Sequence, residues 1–305
     1  VANIGLAFVN PAPDITPDFA QRMARKTEEA GLHSFWINDR INYDNLEPLA
    51  VVSAAAAVTR RIKIGTSVLL VPLRSPVLLA KTLASIDFIS GGRLILGAGL
   101  GNRRDDYDAV EIPFERRGAR LAESIHLMKR LWREEKVSHS GNFFHVEDLS
   151  VGPRPVQPSI PIWLGGSADS VLRRTARLAD GFMCGSSGWQ NFPALWEKIA
   201  SNAAGIGRNP EQIEKAALNF MVIDENRERA IAAGEAYLLR YYGRISVDVG
   251  KNMVVGSPSA CAERLAAMFD KGLQTVILGM IMPDLGQIDL LAGKVLPELY
   301  GRKTA

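Results

Sequence analysis

Cysteine is nearly absent from this 305-residue chain: the two present, Cys184 and Cys261, form no CxxC pair and no metal-ligand spacing. That excludes a disulfide framework and a thiolate zinc site, and it fits a reducing compartment such as the cytoplasm. Histidine is almost as scarce, with His33, His126, His139 and His145 the whole set. No Ser–His–Asp order and no metal cluster can be assembled around them, so hydrolytic and metal-dependent chemistry lack carriers. An excess of one charge is missing too. Lys plus Arg minus Asp plus Glu is 36 − 33 = 3, and opposite charges sit side by side, as in Arg103-Arg104-Asp105-Asp106. Such interleaving makes no stripe for nucleic acid. Long apolar runs are lacking as well: the stretch Ile64–Leu73 is interrupted by Gly, Thr, Ser and Pro, far short of the ~20 residues a membrane span needs. Val1–Pro11 has no basic start and no small-residue cleavage site, so it is not read as a signal peptide.

What remains is an ordinary globular balance, 47% hydrophobic and 23% charged, which excludes disorder. Short apolar runs alternate with helical periods. Ile4–Val9, Ser34–Ile37, Ile62–Val71 and Arg93–Ala98 read as strands, followed by Ile162–Leu164, Gly181–Cys184, Ala216–Ile223 and Thr275–Leu278. Helices are expected between them, opening at Thr16-Pro17-Asp18 and spanning Ala50–Val58, Pro76–Ile89, Glu115–Glu135, Ser170–Leu178, Pro193–Gly205, Glu225–Tyr242 and Ser257–Lys271, with Leu290–Leu299 last. The strands are apolar on both faces, as a parallel sheet covered on both sides requires. Eight units over this length predict an α/β chain forming a single (β/α)8 (TIM) barrel domain over residues 1–305, with an open doubly wound sheet as the alternative. A hairpin at Val137–Val146 and the proline-rich connection Gly152–Pro161 read as an insertion after the fourth helix.

In such a barrel the active site lies at the C-terminal ends of the strands. Those ends carry Asn10, Asn38-Asp39-Arg40, Ser67-Val68 with Leu70, Gly97-Ala98-Gly99-Leu100-Gly101-Asn102, Gly165-Gly166-Ser167, Cys184-Gly185-Ser186 and Gly279-Met280. General acids and bases are few; glycines are many. The run Gly97–Gly101 lets backbone approach a flat ligand, and Gly165-Gly166-Ser167 before a helix offers free N–H groups to a phosphate. A flat ring near strand four and a phosphate near strand five describe a phosphorylated cofactor, which would carry the chemistry the side chains do not.

Three stretches carry a resemblance. They are Arg61–Lys81 with its Pro72-Leu73-Arg74-Ser75-Pro76 segment, Ile86–Gly99, and Pro153–Ser167 continuing to Ala179-Asp180-Gly181; Gly272 with Val276–Gly279 closes the match. Together they resemble the luciferase-like family of flavin- and deazaflavin-dependent oxidoreductases. The resemblance implies a non-proline cis peptide at Ser67-Val68 behind the cofactor ring. It implies cofactor binding by Ser67, Val68, Leu70, Gly99, Leu100, Gly101, Asn102, Leu164, Gly165, Gly166 and Ser167. It places Asp39, Arg40 and Asn102 as catalytic positions, although Arg40 stands where deazaflavin enzymes often have histidine and Asn102 where sugar-phosphate dehydrogenases present a glutamate. Asp39 and Asp105 read equally as proton donors or as ion-pair partners, and Arg40 as an anion holder or a salt bridge. Arg103 and Arg104 read as contacts to an anionic cofactor tail or as partners of Asp105-Asp106. Phe8, Leu70, Leu100, Trp189 and Tyr43 are candidate walls for a small organic substrate. The leading reading is hydride transfer between reduced coenzyme F420 and that substrate. The rivals are an FMN monooxygenase fed by a separate flavin reductase and a non-catalytic flavin-binding protein. The resemblance also implies a homodimer.

Overall fold

Eight largely apolar segments of four to ten residues pair into one sheet in the computed structural model of the chain, which describes residues 2–245 and 247–301. They are β1 (Asn3–Phe8), β2 (Ser34–Ile37), β3 (Lys63–Thr66), β4 (Leu94–Gly99), β5 (Ile162–Gly165), β6 (Gly181–Cys184), β7 (Glu214–Ile223) and β8 (Thr275–Met280). Every neighbouring pair is parallel, and β8 returns to pair with β1 along its whole length, Asn3 opposite Thr275 through Phe8 opposite Met280. The sheet therefore closes, and the expected (β/α)8 barrel replaces the open alternative.

Successive side chains alternate between two cores, because a strand points its residues to opposite faces. Leu6, Phe8, Phe35, Ile37, Leu96 and Leu164 join the layer under the helices, whereas Ala7, Trp36, Ile95, Trp163, Met183 and Ile277 fill the barrel. Trp36 and Trp163 lie with ring centroids 5.1 Å apart. They fit because their neighbours have no side chains: a Cβ on Gly65 would come within 2.6 Å of Trp36, and one on Gly181 within 2.4 Å of Trp163.

Several boundaries differ from expectation. The strand expected to run through Val71 stops at Thr66; the Ser67–Val68 peptide bond is cis, and Leu69–Leu70 then pairs with Ala98 and Gly99 of β4. The first helix begins at Phe19 rather than at Pro17, since Thr16 spends its hydroxyl on Asp18 Oδ1 at 2.6 Å instead of on a helix N–H. The second begins at Pro48, capped by the Glu47 carboxylate, which accepts from the Ala50 N–H at 2.8 Å. The long fourth helix spans Arg117–Arg133 and is preceded by a short helix at Arg104–Asp108. Helix Val249–Asn252 and strand Val254–Gly256, which pairs in parallel beside the last residues of β7, carried no periodic signal in the sequence. Val137–Ser140 and His145–Leu149 form a two-stranded antiparallel sheet apart from the barrel. Among the described residues no helix is long and apolar enough to cross a membrane.

Candidate active site at the barrel mouth

A cavity of about 540 Å³ opens at the C-terminal ends of the strands. The end of β2 brings Asp39 and Arg40 to it, and the irregular segment after β3 brings Ser67, Val68 and Leu70. Gly99, Leu100, Gly101 and Asn102 reach it from β4, and Gly165, Gly166 and Ser167 from β5. Leu164 does not. It lies one position before Gly165 on β5 and so points to the opposite face, into the core beneath the helices. Cys184 touches the rim as a packed apolar group whose thiol burial pushes up to about 12.

The glycines at this end have a first duty to the chain itself. A Cβ on Gly97 would stand 1.8 Å from the Thr66 carbonyl oxygen, and one on Gly99 would stand 2.3 Å from Val68 Cγ2. One on Gly165 would meet Val68 Cγ1 at 3.2 Å. The bulge after β3 thus settles onto the ends of β4 and β5 because those strands end in glycine, and Val68 becomes part of the cavity floor. Gly101, at φ 69°, turns the chain where L residues are disfavoured.

Asp39 and Arg40 are committed to this scaffold. Asp39 Oδ2 accepts the Leu70 N–H at 2.9 Å and pairs with Arg74 Nη1 at 2.6 Å, tying β2 to the bulge. Burial raises the Asp39 carboxyl above its ordinary range, and Arg74 and the Leu70 N–H pull it back only in part. Its second oxygen, Oδ1, is buried and has no partner among the described residues. Arg40 donates to the Tyr241 carbonyl at 3.0 Å and the Asn42 carbonyl at 2.9 Å, and its guanidinium lies 5.2 Å from the ring of Tyr43 and 5.4 Å from that of Tyr241. The carboxylates of Asp105 and Asp106 stand 4.0 and 3.9 Å away. Of its two expected roles, the geometry supplies the ion pair. Asn102 stands exposed at the rim. Arg103 donates to the Tyr241 carbonyl at 3.2 Å, while Arg104 points away to Glu115 at 2.7 Å.

The opposite wall was missed in the sequence. Leu218 and Phe220 face inward from β7, and Tyr237, Tyr241 and Tyr242 come from the next helix, Arg227–Tyr242. Tyr237 stacks on Tyr241 at 5.7 Å and lies 5.0 Å from Phe220. Asn38 Nδ2 donates to the Tyr241 hydroxyl at 2.8 Å. Burial drives both phenols well above their ordinary range, so they act as neutral hydroxyls. The signal was Tyr237 and Tyr241 four residues apart, on one helix face. Of the expected walls, Leu70 and Leu100 are in place. Phe8 packs against Phe19 under the helices, and Tyr43 sits behind Tyr241, edge-on at 4.9 Å. Trp189 is held in the outer core by a bond from its indole N–H to the Asn252 carbonyl at 2.9 Å.

Two features leave polar groups at the mouth open to a ligand. Among the described residues Asn38 Oδ1, Asp39 Oδ1, Ser67 Oγ and the Tyr237 hydroxyl are buried without hydrogen-bond partners, a cost of roughly 1–3 kcal/mol each that a ligand's polar atoms would offset. After β5, Gly166 takes φ 128° and leads to helix Asp169–Leu178, whose N-cap Ala168 supplies no side-chain bond. The Val171 N–H is taken by the Ala168 carbonyl at 2.8 Å, whereas among the described residues the Asp169 and Ser170 N–H groups have no acceptor and can face an anion.

The model of the luciferase-like monooxygenase family matches residues 6–275. The F420-dependent glucose-6-phosphate dehydrogenase of Kineococcus radiotolerans is 32% identical over 74% of this chain and 70% of its own. Among solved structures, the coenzyme F420-dependent tetrahydromethanopterin reductase of Methanopyrus kandleri superposes with a TM-score of 0.83 at 22% identity, covering 98% of this chain and 100% of that one. The monooxygenase RslO1 of Streptomyces bottropensis superposes with a TM-score of 0.83 at 23% identity, covering 97% and 99%. The two structures share the fold.

Proposed function

Because the chain belongs to the luciferase-like monooxygenase family, we propose that it is an oxidoreductase that transfers a hydride between reduced coenzyme F420 and a small organic substrate. The observation that carries this reading is the slot between the Val68 floor and the Tyr237–Tyr241 wall, with a helix N-terminus at its β5 end. Val68 and Leu70 would support the ring, Ser67 and Asn38 would meet its polar edge, and the backbone from Gly165 to Ala168 would hold the phosphate. A bound deazaflavin supplies the hydride from the carbon that replaces flavin N5.

The protein's own part is placement and exclusion. Asp39 fixes the bulge through the Leu70 N–H, with Arg74 holding the carboxylate in line. Arg40 binds the end of the tyrosine-bearing helix to the β2 loop and so sets the width of the slot. Phe220 and Tyr237 keep water from the reacting face. The Tyr237 hydroxyl, neutral and without a partner among the described residues, would donate to a substrate oxygen.

One observation favours FMN-dependent oxygenation as the second reading: Arg40 donates to two backbone carbonyls and Asn102 has no acidic proton, so neither position where the dehydrogenases present histidine and glutamate holds a proton donor. That reading needs a flavin reductase as partner. Fluorescence titration of the purified protein with F420 and with FMN separates the two. Micromolar binding of F420 and weak binding of FMN is expected; the reverse order would replace the first reading with the second.

We also place the protein as a homodimer in a reducing compartment. Leu78, Phe88 and Ile89 are 67%, 63% and 58% exposed on helix Pro76–Ser90, and both cysteines are buried and free. Large apolar side chains exposed in this way are candidates for cover by a partner.

A further inference from the structure

A second cavity, of about 550 Å³, lies outside the barrel between helix Arg117–Arg133 and helix Asp169–Leu178, roofed by Asn142 and Phe143 of the antiparallel hairpin. Its charge is one-sided. Arg173, Arg174 and Arg177 line it, against the single carboxylate of Glu123. That carboxylate is already used, accepting from the Asn142, Phe143 and Phe144 N–H groups and lying 3.2 Å from His139 Nε2. Among the described residues no carboxylate comes within 4.0 Å of the three arginines; the nearby Asp169 turns to Lys198 at 2.9 Å. Arg174 lies flat on the start of the other helix, where the missing side chain of Gly118 makes room: a Cβ there would meet Nη2 at 2.5 Å. Its Nη1 is buried with no acceptor among the described residues. Burial and the neighbouring Arg177 both disfavour its charge. The first turns of both helices, through Gly118, Ala119 and Ser170, border the same space and add their positive ends.

We propose that this groove is an anion site that receives phosphate or carboxylate groups of a small molecule. Guanidinium pairs and helix N-termini are the donors such groups select. Two sources have the chemistry. One is the oligoglutamate tail that F420 carries beyond its phosphate, an arm that rests on the function proposed above. Ala168 and Val171 face the mouth while Ser170 and Arg174 face the groove, on one helix, about 9 Å apart along its axis from Ala168 to Arg174. The other source is a free phosphorylated or polycarboxylate metabolite.

Calorimetric titration of the full chain with inorganic pyrophosphate and with a triglutamate peptide, at low ionic strength, tests the site without the cofactor. Wild type should bind at least one probe about tenfold more tightly than the Arg174→Gln/Arg177→Gln variant, with Arg174→Lys between them. Absence of binding, or binding that the double variant retains in full, overturns the proposal; the second result would assign the anion to the mouth. Fluorescence titration with F420 and with the same chromophore cut back to its phosphate separates the sources. A tail preference of roughly fivefold that vanishes in the double variant identifies the cofactor tail. Probe binding without tail preference identifies a free metabolite. Failure of both chromophores to bind counts against the proposed function and leaves the calorimetric result to decide the site.

Discussion

A single missing Cβ at Gly99 fixes where Val68 can lie, and with it the floor of the mouth. Gly99→Ala should push the bulge away and weaken cofactor binding by more than about tenfold, at a stability cost of roughly 1–3 kcal/mol, read by fluorescence titration and by denaturant unfolding. Asp39 makes a different kind of claim. Asp39→Asn removes the buried partner of Arg74 and should destabilise the fold by roughly 3 kcal/mol, which urea unfolding measures. At this scale the sequence was legible where backbone geometry decides: the cis peptide at Ser67-Val68 and the glycines of β4 and β5 stand where the resemblance implied. Side-chain direction was less legible. Leu164 and Phe8 point to the helix layer because strand alternation sends them there, and a mouth assignment by proximity in sequence ignored that alternation. Tyr237 and Tyr241 escaped notice because a helix that follows a strand can present any face, and only the packed barrel shows which one turns inward.

Between elements, Glu28 is a clear joint. It sits in the last turn of helix Phe19–Glu29 and accepts the backbone N–H groups of Arg60, Arg61 and Ile62 at the entry to β3. Partial burial pushes its carboxyl up, but the three N–H donors outweigh that and hold it below the ordinary 4.5. Its folded pKa is depressed, so its contribution is complete above about 4.5 and is lost as pH falls through the lower folded value. Glu28→Gln should cost about 1–2 kcal/mol at pH 7 and flatten the stability-against-pH curve below pH 4.5, measured by chemical denaturation across that range. Element type and order were legible because strand and helix differ in apolar period. Ends were not. The Glu47 cap and the early stop at Thr66 depend on a side-chain bond and on a bulge that no period records.

For the molecule as a whole, the exposed Leu78, Phe88 and Ile89 on helix Pro76–Ser90 are the basis for predicting self-association. Leu78→Glu/Phe88→Glu should convert a dimer to a monomer in sedimentation velocity without changing the far-ultraviolet circular dichroism; a wild-type monomer would contradict the proposal. The closed barrel was legible because eight apolar strands joined by helix-length connections leave few other arrangements. The central claim is that a phosphate-bearing redox ring rests between Val68 and the tyrosine wall. A crystal structure of the protein grown with F420 tests it directly: ring density against Val68, with the phosphate at the N–H groups from Gly166 to Asp169, is the expected result. Ring density on any other face, with the mouth filled by its own side chains, would contradict it.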